Sequence, residues 1–166
     1  MAKPITYAVP VCVALTLLLL VGMVIGLLKS NALIIVLFLL PSVVYEAYRT
    51  EGKSTIWASW AMLAVILIEI VLVFFKINFN LAAFLGSEGQ YVAGYFVPFG
   101  DIRVLFPTIM GVLSIILFVR TAGIYTRWLS VLIIIGSLAV IYTLDSAIFR
   151  EILKIGIKQG LNNIHF

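Results

Sequence analysis

From Tyr7 to Leu28 the chain carries no charged side chain. An α-helix rises about 1.5 Å per residue, so a run of this length crosses a hydrocarbon core about 30 Å thick. Four more predominantly apolar runs follow: Ala32 to Tyr48, Ile56 to Phe75, Val104 to Val119 and Trp128 to Leu144. They are bounded by Lys29-Ser30-Asn31, by Arg49 through Lys53, by Lys76, by Arg103 and Arg120, and by Asp145. Lipid offers no partner to an unpaired backbone group, so such runs are read as helices. The expectation is an all-α integral membrane protein, a single transmembrane domain over 1–166. It is a bundle of about five transmembrane helices at 7–28, 32–48, 56–75, 104–119 and 128–144.

Composition removes the main alternative. Only 11% of the 166 residues are charged and 64% are hydrophobic, against roughly 25% and 45–50% in soluble domains. Such a chain cannot build a polar shell. The first run is too long for the apolar core of a signal peptide and is read as a retained anchor helix. The net charge of +4 sits at the ends of the apolar runs, which points to topology and the lipid bilayer as partner rather than to nucleic acid.

Two segments stand apart from the spans. The long connection 77–103 carries Phe79, Phe84, Tyr91, Tyr95, Phe96 and Phe99, with Glu88 and Asp101 before Arg103. It is expected at the membrane interface, where aromatic rings are at home, or against a partner. In the tail 145–166, Arg150, Lys154 and Lys158 recur every four residues while Ile148, Ile152 and Ile155 line another face. That period predicts a C-terminal amphipathic helix at the headgroups, continuous with the fifth span. Basic residues divide almost evenly between the two sides. Those on the N-terminal side concentrate in short loops, which favours a cytoplasmic N-terminus in the cell membrane. Leu33–Phe38 and Leu113–Phe118 also resemble each other, a faint repeat of the kind found in transporter halves.

Glu69 is the most informative single residue. It lies in Val65–Val73, and the seven residues from Glu69 to Lys76 rise about 10 Å, too far for a carboxylate to reach the interface. An ionised acid in hydrocarbon costs about 2.5 kcal/mol at the least. Glu69 is therefore expected to be protonated, paired or lining a wet cavity, as a proton- or cation-binding group or as a hydrogen bond between helices. Glu46 reads differently, as one half of an interfacial ion pair with Arg49 three residues on. Asp145 and Glu151 read as boundary charges. Tyr45, Tyr48, Tyr125, Tyr142, Trp57, Trp60 and Trp128 read as belt residues.

Helix packing has its own markers. Gly22 and Gly26 form a small-xxx-small pair that permits close helix crossing, and Gly111 with Ser114 and Gly136 with Ser137 offer similar flat patches. Pro41 is expected to kink the second span and free the carbonyl of Leu37, with Ser42 beside it. Pro107 is placed in the first turn of the fourth.

One histidine, His165, and one cysteine, Cys12, supply neither a disulfide nor a multi-ligand metal or haem site. No triad, phosphate loop or HExxH is present. Neither a catalytic centre, a metal nor a cofactor of the chain's own is expected. The first expectation for function is a non-catalytic accessory subunit of a larger multi-subunit membrane complex, with energy-converting and redox complexes as natural settings. Its partners would be other membrane subunits. The alternative is a small homo-oligomeric transporter or channel that uses Glu69.

Overall fold

The computed structural model describes residues 7–50, 52–77, 90–92, 95–97, 102–150 and 154. Its elements are α1 (Ala8–Leu28), α2 (Ala32–Arg49), α3 (Lys53–Phe74), β1 (Gln90–Val92), β2 (Tyr95–Val97), α4 (Ile102–Arg120) and α5 (Ile124–Leu144). A short helix at 146–150, α6, follows. The five long helices are each apolar and long enough to cross a membrane. The molecule is a helical membrane bundle.

The turns explain the up-and-down order. At the end of α1 the amide of Asn31 donates to the carbonyl of Gly26 (2.9 Å) and that of Ser30 to Leu27 (3.2 Å), with Ser30 left-handed at φ 48°. This is the Schellman closure, which satisfies carbonyls the helix leaves open. Asn31 then caps α2 by accepting from the amide of Leu33 at 3.0 Å. α3 closes in the same way: Ile77 donates to Leu72 (3.0 Å) and Lys76 to Val73 (3.3 Å), with Lys76 at φ 50°. Residues 50–52 join α2 to α3, and 121–123 join α4 to α5. α1, α3 and α5 thus run one way, and α2 and α4 the other. The N-terminus of α1 and the α2–α3 and α4–α5 turns share one end, here the near end. The far end holds the α1–α2 turn, the start of α4 and α6.

The helices form a ring in which each touches the next and α5 returns to α1; α2 also crosses the middle to meet α5. α1 buries a single stripe, Ala8, Cys12, Leu15, Leu19, Gly22 and Gly26, whose alternating steps of four and three keep one helix face on its neighbours. A Cβ on Gly22 would collide with the side chain of Phe38, and one on Gly26 with Ile35. Both glycines therefore serve a close α1–α2 crossing within the chain. Gly136 does the same between α2 and α5, where an added Cβ would lie 2.6 Å from Leu39 Cδ1. Trp128 Nε1 donates to Thr16 Oγ1 at 3.0 Å, pinning α5 to α1.

Several sequence expectations shift. α5 begins at Ile124 rather than Trp128, because the exposed Arg127 is accommodated in the first turn, where its Nε donates to the carbonyl of Thr121 at 2.8 Å. α4 begins at Ile102, which moves Pro107 out of the first turn. As expected, Pro41 lies inside α2, which runs from Ala32 to Arg49. The tail does not continue α5. Asp145 is extended and caps α6, its Oδ1 accepting from the amides of Ala147 (2.8 Å) and Ile148 (3.2 Å). The expected amphipathic face beyond it, apart from Lys154, lies outside the described residues. The long connection holds an antiparallel hairpin that the all-helical expectation omitted, with Tyr91 opposite Phe96 and Val92 opposite Tyr95. β-branched and aromatic residues flanking Ala93-Gly94 are the composition of a tight hairpin; the remainder of that connection lies outside the described residues.

Candidate functional site

α3 lies against α2 on one side and α4 on the other. Its buried face runs Thr55, Ser59, Met62, Ile66, Glu69 and Leu72, again in steps of three and four that keep one stripe inward. Across from it α2 buries Leu39, Ser42, Val43 and Glu46. These helices, with α4 and α5, enclose an interior in which most buried side chains are apolar and a few are not.

The polar groups gather first at the near end. Ser59 Oγ donates to Thr50 Oγ1 at 2.9 Å. The Thr50 hydroxyl lies 3.1 Å from Glu46 Oε1 and 2.9 Å from the Glu46 carbonyl, and its one proton serves either. Glu46 is 0% exposed. Its Oε2 has no hydrogen-bond partner among the described residues, and neither does the buried Ser42 Oγ one turn deeper. The structure thus overturns the ion pair expected between Glu46 and Arg49. Arg49 instead lies 4.9 Å from the Tyr125 ring centroid, with one guanidinium nitrogen 3.4 Å from Tyr45 Oη. The reason is angular. At 100° per residue Thr50 comes within 40° of Glu46 on the helix circumference, whereas Arg49 falls 60° to the other side, among the interfacial tyrosines.

Glu69 holds the opposite position. It is also 0% exposed, enclosed by its own chain rather than turned outward to lipid or a neighbouring subunit. The ten residues from Ser59 to Glu69 rise about 15 Å along α3. Met62 and Ile66, both fully buried, fill the stripe between them. One turn from Ser59, Ser114 of α4 donates to Met62 Sδ at 3.2 Å. On α5 the two buried serines bond within their own helix: Ser130 Oγ donates to the carbonyl of Thr126 (2.9 Å) and Ser137 Oγ to that of Ile134 (2.9 Å). Gly111 gives Ser137 room, since a Cβ there would come within 3.3 Å of its hydroxyl.

The interior therefore contains two fully buried carboxyl groups, one near each end, separated by an apolar stretch. Burying an ionised carboxylate in a membrane is costly, and such groups hold a proton, a cation or a set of dipoles. Sequence reasoning found Glu69 and missed Glu46, Thr50 and Ser59. A signal was present: Glu46 lies seven residues, two helical turns, after Leu39 and so shares its face. Of the packing residues, Gly22 and Gly26 lie on the α1–α2 seam, away from the carboxyls. Pro41 is half-buried next to Ser42. Among the described residues no three His, Cys, Asp or Glu side chains come together.

Comparison with protein-family models, with curated proteins and with solved structures finds no match to this chain.

Proposed function

We propose that this protein moves protons or small monovalent cations through the interior bounded by α2, α3, α4 and α5, with Glu46 and Glu69 as the binding groups near its two ends. The observation that supports this reading is the presence of two fully buried carboxyls in one helical interior. A single buried acid serves as well for packing as for transport; that balance made an accessory subunit the first expectation from sequence. A second acid, on a different helix and bonded through Thr50 to Ser59, shifts it. Met62 and Ile66 stand between the acids, so passage requires that apolar stretch to open, as in a closed channel or an occluded carrier.

Purified protein in liposomes, with a pH-reporting dye inside and a potassium diffusion potential across the bilayer, tests the reading. Proton or cation flux is expected from the wild type and is expected to fall at least tenfold in Glu69→Gln and in Glu46→Gln. Gln preserves size and hydrogen bonding while removing titration. Wild-type flux no greater than that of empty liposomes would overturn the proposal.

An accessory subunit of a larger membrane complex is the second reading. It is favoured by the outer face of α3, where Trp57, Trp60, Leu67, Val71 and Phe74 are exposed over its full length, a surface that a neighbouring helix covers as readily as lipid. Purification in mild detergent followed by intact-mass analysis separates the two. Different chains in fixed ratio support the subunit, and a lone chain or homo-oligomer supports the transporter. We place the protein in the cell membrane with the near end cytoplasmic, since Arg49, Arg120 and Arg127 lie in or beside its short loops.

A further inference from the structure

A groove of about 360 Å³ runs along the outside of the bundle between α1 and α5, lined by Met23 and Leu27 on one side and Ile135, Leu138 and Tyr142 on the other. No polar surface lines it. From Ile135 to Tyr142 it follows about 10 Å of α5, rising towards the far end. There α6 folds back over it: the ring of Phe149 meets Tyr142 edge to face at 5.3 Å, and Phe149 forms the outer wall of the groove.

The rim above it is basic. Arg150, next to Phe149, is exposed, with its Nε donating to the carbonyl of Ser146 at 3.2 Å. Lys154, four residues further, is also exposed and helical, and Lys29 adds a charge at the end of α1. The described acid at this rim, Asp145, spends one carboxylate oxygen on the first amides of α6. An apolar slot that opens sideways in the hydrocarbon and ends beneath cations at headgroup level has the chemistry of one ligand class. We infer that this groove binds an anionic phospholipid, its acyl chain between α1 and α5 and its phosphate group at Arg150 and Lys154. The assignment is independent of the carboxyl groups and of whether the protein transports anything. α6 acts as a clip over the chain, with Phe149 closing the slot and Arg150 holding the headgroup.

Native mass spectrometry of the purified protein, after exchange into nanodiscs of phosphatidylcholine alone or mixed with phosphatidylglycerol, reads the occupancy directly. A retained phosphatidylglycerol, preferred over phosphatidylcholine, is expected. A basic residue near an anionic headgroup is worth about 1 kcal/mol, so Arg150→Gln with Lys154→Gln is expected to lower that preference about thirtyfold while the protein stays folded. Leu138→Trp, which fills the groove from within, is expected to reduce retention of both lipids. Equal retention of the two lipids by the wild type, an unchanged preference in the double variant, or a different protein chain found on this face would each overturn the assignment.

Discussion

α1 and α3 flank α2 from two sides and present stripes built from steps of three and four residues, yet the stripes have opposite chemistry. That of α1 is Ala8, Cys12, Leu15, Leu19, Gly22 and Gly26; that of α3 is Thr55, Ser59, Met62, Ile66, Glu69 and Leu72. The α1 seam is small and apolar, so the backbones approach closely and the gain is dispersion. The α3 seam carries hydroxyls and a carboxyl, so its contacts are directional. Spacing keeps one face of each helix on its neighbours. Which side chains occupy the stripe decides whether the seam is packing or a place for chemistry.

The sharpest way to break this contrast is to enlarge the α1 seam. Gly22→Leu places a side chain where Phe38 already stands, and helices that meet through glycine have no flexible layer to absorb it. A loss of about 1–3 kcal/mol or more is expected, read as a lower midpoint in thermal or denaturant unfolding in detergent. Gly111→Ala, whose Cβ would come within 3.3 Å of only one hydroxyl, is expected to cost less than Gly22→Leu. An equal cost for the two would mean that the α1–α2 crossing is not closely packed.

On the α3 seam the corresponding change is Thr50→Val. It keeps the shape and removes the hydroxyl that joins Ser59 to Glu46. Leaving buried polar groups without their partner costs about 1–3 kcal/mol, and Ser59→Ala is expected to cost less, since Thr50 keeps its bond to Glu46. If Thr50→Val were neutral in stability and in flux, the near-end cluster would have no role in either. Ser114→Ala comes next, at a few tenths of a kcal/mol up to about 1, because it removes a bond to a thioether, a weak acceptor.

The same contrast explains what the sequence made legible. The five spans could be read because lipid tolerates only paired backbone, and long apolar runs have one solution there. Which face of each span turns inward could not be read from apolar residues, since lipid and protein interior are equally welcoming to leucine. The buried stripe of α1 is no more hydrophobic than its outer face. Polar residues were the better guide: Ser42, Glu46, Ser59, Glu69, Ser114, Ser130 and Ser137 all turn inward. Glu46 was misread because Arg49 lies within salt-bridge reach in sequence, whereas in the structure Thr50 takes the carboxyl and Arg49 turns to Tyr125. The strand pair 90–92 and 95–97 escaped because each strand is only three residues long within an aromatic-rich connection. The break at Asp145 escaped because its cap depends on backbone amides, which a pattern of side chains does not display.

The smallest effect concerns how α1 and α3 end, the one respect in which they are alike. Both close with a Schellman turn whose left-handed residue is not glycine: Ser30 at φ 48° and Lys76 at φ 50°. A side chain in that conformation costs about 1–2 kcal/mol, which glycine avoids, although glycine loses more backbone freedom on folding. The difference leaves Ser30→Gly stabilising by about 0.5–1 kcal/mol. The change also tests the α1–α2 hairpin, because Asn31, the next residue, both completes the turn and caps α2. Lys76→Gly relieves the same strain but removes a basic residue at the far end of α3. Its gain in unfolding midpoint is therefore expected to be smaller than that of Ser30→Gly in lipid, and equal to it in neutral detergent. A loss of stability in Ser30→Gly would mean that the serine side chain, and not the backbone, holds the α1–α2 turn.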